Sequence, residues 1–223
     1  GMSTDDLLPR YACEKCSDTG YLENGELCPC ARLKLAGRKY SSSGISENAG
    51  FDRFNENIFK DPEQLKRTRR AAEICAQYAE NLEIGGAKGL LLMGETGLGK
   101  TFLMDSIGRE AIRRGYSVKK YTAYNLIDAA LRAVRRHEAG PELTGAELLL
   151  LDDLGTEPMI PGVTIETLFA AINERQFAGK ATVIATNLTK NELFTQYGER
   201  IFSRLFASRE YAAITLRGKD LRM

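Results

Sequence analysis

From residue 88 onward the chain alternates short apolar runs with longer stretches of helical periodicity. Gly89-Leu90-Leu91-Leu92-Met93, Leu148-Leu149-Leu150-Leu151 and Ala181-Thr182-Val183-Ile184-Ala185 are nearly unbroken apolar runs, too short to cross a membrane. That is the pattern of strands buried on both faces of a parallel sheet. Tyr116–Tyr121 and Tyr211–Leu216 are β-prone as well. Between these runs, apolar spacing predicts helices over about 101–114, 123–137, 163–177 and 190–206. An earlier helix is predicted from Asp61-Pro62-Glu63, with proline in its first turn, through Leu65, Ala72, Ile74, Tyr78 and Ala79 to about Asn81. Strands that alternate with helices imply an α/β fold: a mostly parallel sheet flanked by helices, with ligands held at the C-terminal ends of its strands.

Chemistry is concentrated at two of those strand ends. Gly94, Glu95, Thr96, Gly97, Leu98, Gly99, Lys100 and Thr101 follow the first apolar run and open a helix, matching the phosphate-binding pattern G-x-x-x-x-G-K-[ST]. Glycines let the backbone curl until its N–H groups point at phosphate oxygens. Lys100 is placed to reach the β and γ phosphates of ATP, and the Thr101 hydroxyl to ligate Mg²⁺. The run at Leu148 ends in Asp152-Asp153-Leu154-Gly155, a strand delivering two carboxylates to its edge. Asp152 is expected to hold Mg²⁺, directly or through water, and Asp153 to polarise the attacking water.

Composition narrows the class. With 223 residues, 43% hydrophobic and 27% charged, the chain has room for one α/β domain and a small appendage. A net charge of +1 excludes a strongly basic protein, although Lys66, Arg67, Arg69 and Arg70 form one basic cluster and Arg132, Arg135 and Arg136 another. Each reads either as a solvated helix face or as a phosphate-contacting patch. Neither a signal peptide nor a membrane-length apolar run is visible, which points to a cytoplasmic protein, and Gly1-Met2 has the look of a tag-removal scar. Cys13, Cys16, Cys28 and Cys30 crowd into one short stretch. In a reducing compartment such spacing suggests a structural Zn²⁺ site more than disulfides, whereas the isolated Cys75 reads as core. The expected organisation is a zinc-binding module at 1–35, a Ser/Gly-bearing linker at 36–57 and a P-loop ATPase domain at 58–223.

Together, the loop at Gly94–Thr101, Leu151-Asp152-Asp153-Leu154-Gly155, Ile184-Ala185-Thr186-Asn187 and Gly198-Glu199-Arg200-Ile201-Phe202-Ser203-Arg204-Leu205 resemble the AAA+ ATPases of the DnaC/DnaI helicase-loader group. The resemblance covers about Phe51 to Arg222. It implies that Asn187 senses the γ-phosphate, the alternative being a helix-capping asparagine. It also implies that Arg204 is the arginine finger given to a neighbouring subunit's site, with Arg200 the nearby competitor, and that the chain self-associates into an AAA+ oligomer. A replicative helicase and single-stranded DNA are the implied partners, the cysteine module gripping the helicase. Two departures stand out: Asp153 replaces the more usual glutamate, and no helical lid with the usual sensor 2 arginine is expected after Leu216, a role that either Arg217 or Arg222 could take instead. The IstB-like transposition helpers resemble the same core, and a non-catalytic ATP-binding adaptor is a further alternative. Tyr121 and Tyr124 beside the second basic cluster could stack DNA bases or pack in the core. The only histidine, His137, closes an Arg-rich helix and has no nucleophile beside it.

Overall fold

A computed structural model describes residues 11–26, 28–31, 43–82, 89–138, 140–141, 143–206 and 210–222. The ends of the expected cysteine module, the first part of the expected linker (36–42, with Ser41 and Ser42) and Lys88 lie outside the described residues. Among those described, helix α1 spans Pro62–Glu80, followed by β1 Gly89–Met93, α2 Lys100–Arg113, β2 Val118–Thr122, α3 Ala123–Arg136, β3 Leu148–Leu154, α4 Thr164–Phe177, β4 Ala181–Thr186, α5 Lys190–Phe206 and β5 Tyr211–Thr215. These five strands pair in parallel, in the order β2-β3-β4-β1-β5. No described helix is long and apolar enough to cross a membrane.

The apolar runs form the sheet because each of their residues is needed on one face or the other. Leu90, Leu92, Leu148, Leu150 and Val183 pack with α1 and α2. Leu91, Met93, Leu151 and Ile184 pack with α3, α4 and α5 on the opposite face. Helix starts follow local chemistry. The Asp61 side chain accepts the Glu63 N–H at 2.9 Å ahead of α1, and Thr122 accepts the Asn125 N–H at 3.1 Å ahead of α3. His137 ends α3 in the left-handed conformation at φ 55° and is exposed, so it is a helix terminator. In α5, Gly198 at φ 74° and ψ 177° breaks the helix ahead of Arg200.

Part of the expected linker packs on the core. Ser43, Ile45 and Ala49 are buried, and Ile45 belongs to the α1–α2 core, with Phe51 and Phe54 packed against it. Arg109 donates to the Ala49 carbonyl at 2.7 Å, and the Ser46 N–H donates to Asp105 at 3.3 Å. Residues 43–54 therefore pack against the same core as α1 and α2. The serines and glycine that suggest a flexible connector conceal single apolar anchors whose partners lie far along the chain.

Arg175 is fully buried on α4 and donates to the carbonyls of Leu143, Ala146, Glu147 and Ala181 and to the Thr182 hydroxyl, at 2.6–3.1 Å. Burial pushes its pKa down to about 10. Its charge is spread over carbonyl dipoles that pin the segment entering β3 to the start of β4.

Candidate functional site

The sheet order sets the C-terminal ends of β3, β4 and β1 side by side, so Asp152, Asn187 and the loop at Gly94–Thr101 converge on one edge. Gly99 sits at φ 87° and α2 begins at Lys100, giving the loop-to-helix turn that presents backbone N–H groups to an anion. A side chain at Gly97, where φ is 81°, would lie 1.9 Å from an Asp220 carboxylate oxygen. The loop is thus held against residues near the end of the described chain, and the Leu221 N–H donates to the Gly97 carbonyl at 3.0 Å.

Lys100 is buried, and its ammonium donates to the carbonyls of Gly94 and Glu95 at 2.7 and 2.8 Å. Burial lowers its pKa, and the charges of Asp153 and Asp152 oppose that shift. The Thr101 hydroxyl lies 3.2 Å from Asp152 Oδ1. Asp152 is buried, and its Oδ1 also accepts the Asp153 N–H at 3.0 Å. Asp153 is exposed at the strand end in the left-handed conformation, φ 54°, which a non-glycine residue holds only when its surroundings require it. Partial burial, followed by the neighbouring Asp152 charge, raises the Asp153 pKa.

A cavity of about 520 Å³ opens beside these groups, of a size that suits a small-molecule ligand. Thr96, Gly97, Lys100, Thr101 and Asp153 line it together with Phe54, Ile58, Phe59, Leu221 and Arg222. Phe54 and Phe59 stack with ring centroids 5.7 Å apart and form an apolar part of the cavity wall. Phe54, Ile58 and Phe59 are the pocket residues that the motifs do not point to. The signal that could have revealed them is four large apolar residues, Phe51, Phe54, Ile58 and Phe59, within nine positions of an otherwise polar stretch. Asn187 is exposed beyond β4 and shares a second cavity with Gly94 and Glu95.

The four clustered cysteines converge as well. Their sulfur atoms all lie within 4.8 Å of one another, with Cys13 and Cys28 at 3.7 Å and Cys16 and Cys30 at 3.4 Å. None of these is a disulfide. A tetrahedral ion with bonds of about 2.3 Å to sulfur needs sulfurs roughly 3.8 Å apart, so the donor set fits zinc. The Asp18 carboxylate accepts the N–H groups of Ala12 and Cys13, both at 2.9 Å, and the Cys28 N–H donates to Gly20 at 2.8 Å, which orients the loops that carry the thiols.

The family model of the IstB-like ATP binding proteins matches residues 74–205, more than half of the chain. The chain belongs to the IstB-like ATP-binding family. Beyond that family, the chain is similar to the helicase loaders DnaC and DnaI. This IstB-like protein is 25% identical over 155 residues to the replicative helicase loader DnaI of Bacillus subtilis, covering 66% of this chain and 49% of that one. It is 32% identical over 122 residues to an insertion-sequence ATP-binding protein of Geobacillus stearothermophilus, covering 53% of this chain and 46% of that one. The chain thus spans about half the length of these curated relatives. Its fold is that of the crystallised DnaC helicase loader, with a TM-score of 0.64, 22% identity and coverage of 77% of this chain and 98% of the other.

In the IstB-like protein, Arg204 and Arg200 both follow the break at Gly198 but face different surroundings. Arg200 is exposed and its guanidinium stacks 4.2 Å from the centroid of Phe169. Arg204 is half-buried, and its carbonyl accepts the Gln176 amide at 3.3 Å. Among the described residues, Arg204 lines neither the phosphate-loop cavity nor the cavity beside Asn187. Tyr121 packs against the α3–α5 core, while Tyr124 is exposed. In the basic clusters, Arg67, Arg69, Arg70 and Arg132 form surface ion pairs with Asp61, Glu56, Glu73 and Asp128.

Proposed function

We propose that this chain is an ATP-driven switch that places a replicative helicase on single-stranded DNA. The observation that carries the nucleotide reading is the contact of the Thr101 hydroxyl with the buried Asp152 carboxylate, directly beside the phosphate loop and its aromatic cavity. Thr101 and Asp152 would hold Mg²⁺, which supplies Lewis-acid stabilisation of the phosphates when bound. Lys100 and the loop N–H groups bind the β and γ phosphates, and Asp153 takes a proton from the attacking water. Asn187 orients that water, and Arg204 completes the site of a neighbouring subunit. Hydrolysis is slow and partner-stimulated, because Asp153 is one methylene shorter than glutamate. The cysteine module binds Zn²⁺ as a structural ion and grips the helicase, in the cytoplasm. The replicative-helicase-loader relative supports this choice of partner.

A second reading, a helper ATPase for DNA transposition, is favoured by the IstB-like family match and by the insertion-sequence relative. One experiment separates the two. The purified protein is assayed for ATP hydrolysis with and without single-stranded DNA and the host's replicative helicase, and helicase binding is followed in the same samples. Helicase binding with DNA-stimulated hydrolysis supports the loader. Stimulation by DNA alone, without helicase binding, supports the transposition helper. Persistent ATP binding with no phosphate release under any condition identifies a non-catalytic adaptor.

A further inference from the structure

Two buried carboxylates from different elements share a single ammonium group beside the proposed metal position. Lys120 on β2 places its Nζ 2.7 Å from Asp105 Oδ1 on α2 and 3.2 Å from Asp152 Oδ2 on β3. Exposure of the three side chains is only 11%, 3% and 5%, in the order Lys120, Asp105, Asp152. The register explains the meeting. Lys120 pairs with Leu150 and Thr122 with Asp152, so Lys120 and Asp152 stand two positions apart on the same face of neighbouring strands. Residues 43–46 cover the group: Gly44 lies against Lys120, and the Ser46 N–H donates to Asp105 Oδ2.

The two oxygens of Asp152 are thereby divided. Oδ2 is held by Lys120, which leaves Oδ1 facing the Thr101 hydroxyl and the Asp153 N–H. Lys120 does not line the phosphate-loop cavity, so it acts on the nucleotide only through Asp152. We propose that Lys120 is a positioning residue for the Mg²⁺-binding carboxylate: it fixes the rotamer of Asp152 and, by sharing its charge with Asp105, keeps both acids buried. This inference rests on the ATP·Mg²⁺ reading above. Without the ammonium, two uncompensated carboxylates would face each other in the interior, and Asp152 would be free to turn away from Thr101.

The test compares wild type, Lys120→Met and Lys120→Met/Asp105→Asn in the full chain. Binding of a fluorescent ADP is measured in EDTA and in Mg²⁺, ATP hydrolysis is titrated with Mg²⁺, and thermal melting is recorded. In Lys120→Met, nucleotide binding in EDTA is expected to match wild type, while the half-saturating Mg²⁺ concentration rises about tenfold or more, as for other residues that orient a metal ligand. The double variant removes the surplus carboxylate charge, so it should regain the melting temperature lost in the single variant and keep the raised Mg²⁺ requirement. An unchanged Mg²⁺ requirement in Lys120→Met overturns the proposal. So does a double variant whose Mg²⁺ requirement recovers along with its stability, because Lys120 would then serve only to neutralise Asp105. Wild-type protein that binds no nucleotide in either condition would instead refute the ATP reading itself.

Discussion

The Thr101 hydroxyl and Asp152 Oδ1 lie 3.2 Å apart although 51 positions separate them in the chain. They belong to elements following β1 and ending β3, two strands that never touch, because β4 runs between them. A parallel sheet brings all its strand ends to one edge, so a hydroxyl from one turn and a carboxylate from another can bracket the same ion. The remaining roles are arranged around that contact.

Lys100→Ala should abolish measurable nucleotide binding, since the ammonium now resting on two loop carbonyls is the buried cation next to the phosphate loop. Asp153→Asn should leave binding within about twofold of wild type and reduce hydrolysis by roughly a hundredfold or more, the usual effect of losing a general base. Equilibrium binding of a fluorescent ATP analogue, with phosphate release measured alongside, checks both. An Asp153→Asn protein that hydrolyses normally would remove Asp153 from the mechanism.

Arg204→Ala should leave nucleotide affinity unchanged and lower stimulated turnover by about a thousandfold, the low end of what a finger supplied in trans contributes. Because Arg204 does not line its own chain's phosphate-loop cavity, mixing is informative. Subunits carrying Arg204→Ala still have an intact loop, and subunits carrying Lys100→Ala still have an intact finger. Activity should therefore reappear when the two inactive proteins are combined. No recovery in the mixture would argue that Arg204 acts within its own subunit or in folding.

Phe54→Ala should weaken nucleotide binding by about tenfold, the scale of one lost base–aromatic stack, with the loss shared by ATP and ADP and little change in turnover at saturation. A titration with both nucleotides decides it. Equal affinity for wild type and variant would place the base elsewhere.

That last site shows where the chain's sequence stops being legible. Strands and the phosphate loop announce themselves because their function demands unusual local composition: unbroken apolar runs, then glycines, lysine and threonine in fixed order. Residues 43–57 do not, because Ile45 earns its burial from Leu150 and the close approach at Gly108, partners that local composition cannot reveal. Lys120 has the same difficulty in a sharper form. On an alternating strand a lysine reads as facing solvent, and only the register with β3 and the cover from residues 43–46 make it a buried counter-ion. Asp153 could be read as an acid at a strand end, but its left-handed backbone depends on the turn that follows, where Thr156 donates to the Asp153 carbonyl from both N–H and hydroxyl.

Metal analysis of the purified protein should find about one zinc per chain, as expected of a closed four-thiolate structural site. Cys16→Ser should remove most of it. Chelation should expose the clustered thiols to a thiol reagent while nucleotide binding persists, because the sulfur site and the phosphate loop have separate ligands. Full thiol reactivity before chelation, with no zinc present, would refute the zinc assignment.

The contact at Gly97 yields a two-variant prediction. Residues 219–222 are fastened at both sides: Gln64 exchanges two hydrogen bonds with the Lys219 backbone, at 2.8 and 3.0 Å, and Leu221 donates to Gly97. Asp220 is held by Arg222 at 2.7 Å and 3.0 Å, so its carboxylate has a defined position against the loop. Gly97→Ala then meets two separate obstacles. The added methyl would strike the Asp220 carboxylate, and the φ of 81° disfavours any residue with a side chain by about 1–2 kcal/mol. Nucleotide affinity should fall. Adding Asp220→Ala removes the collision and leaves the backbone strain, so the double variant should recover part of the loss. Full recovery would mean that the collision was the whole cost, and no recovery would mean that residues 219–222 do not rest on the phosphate loop in solution.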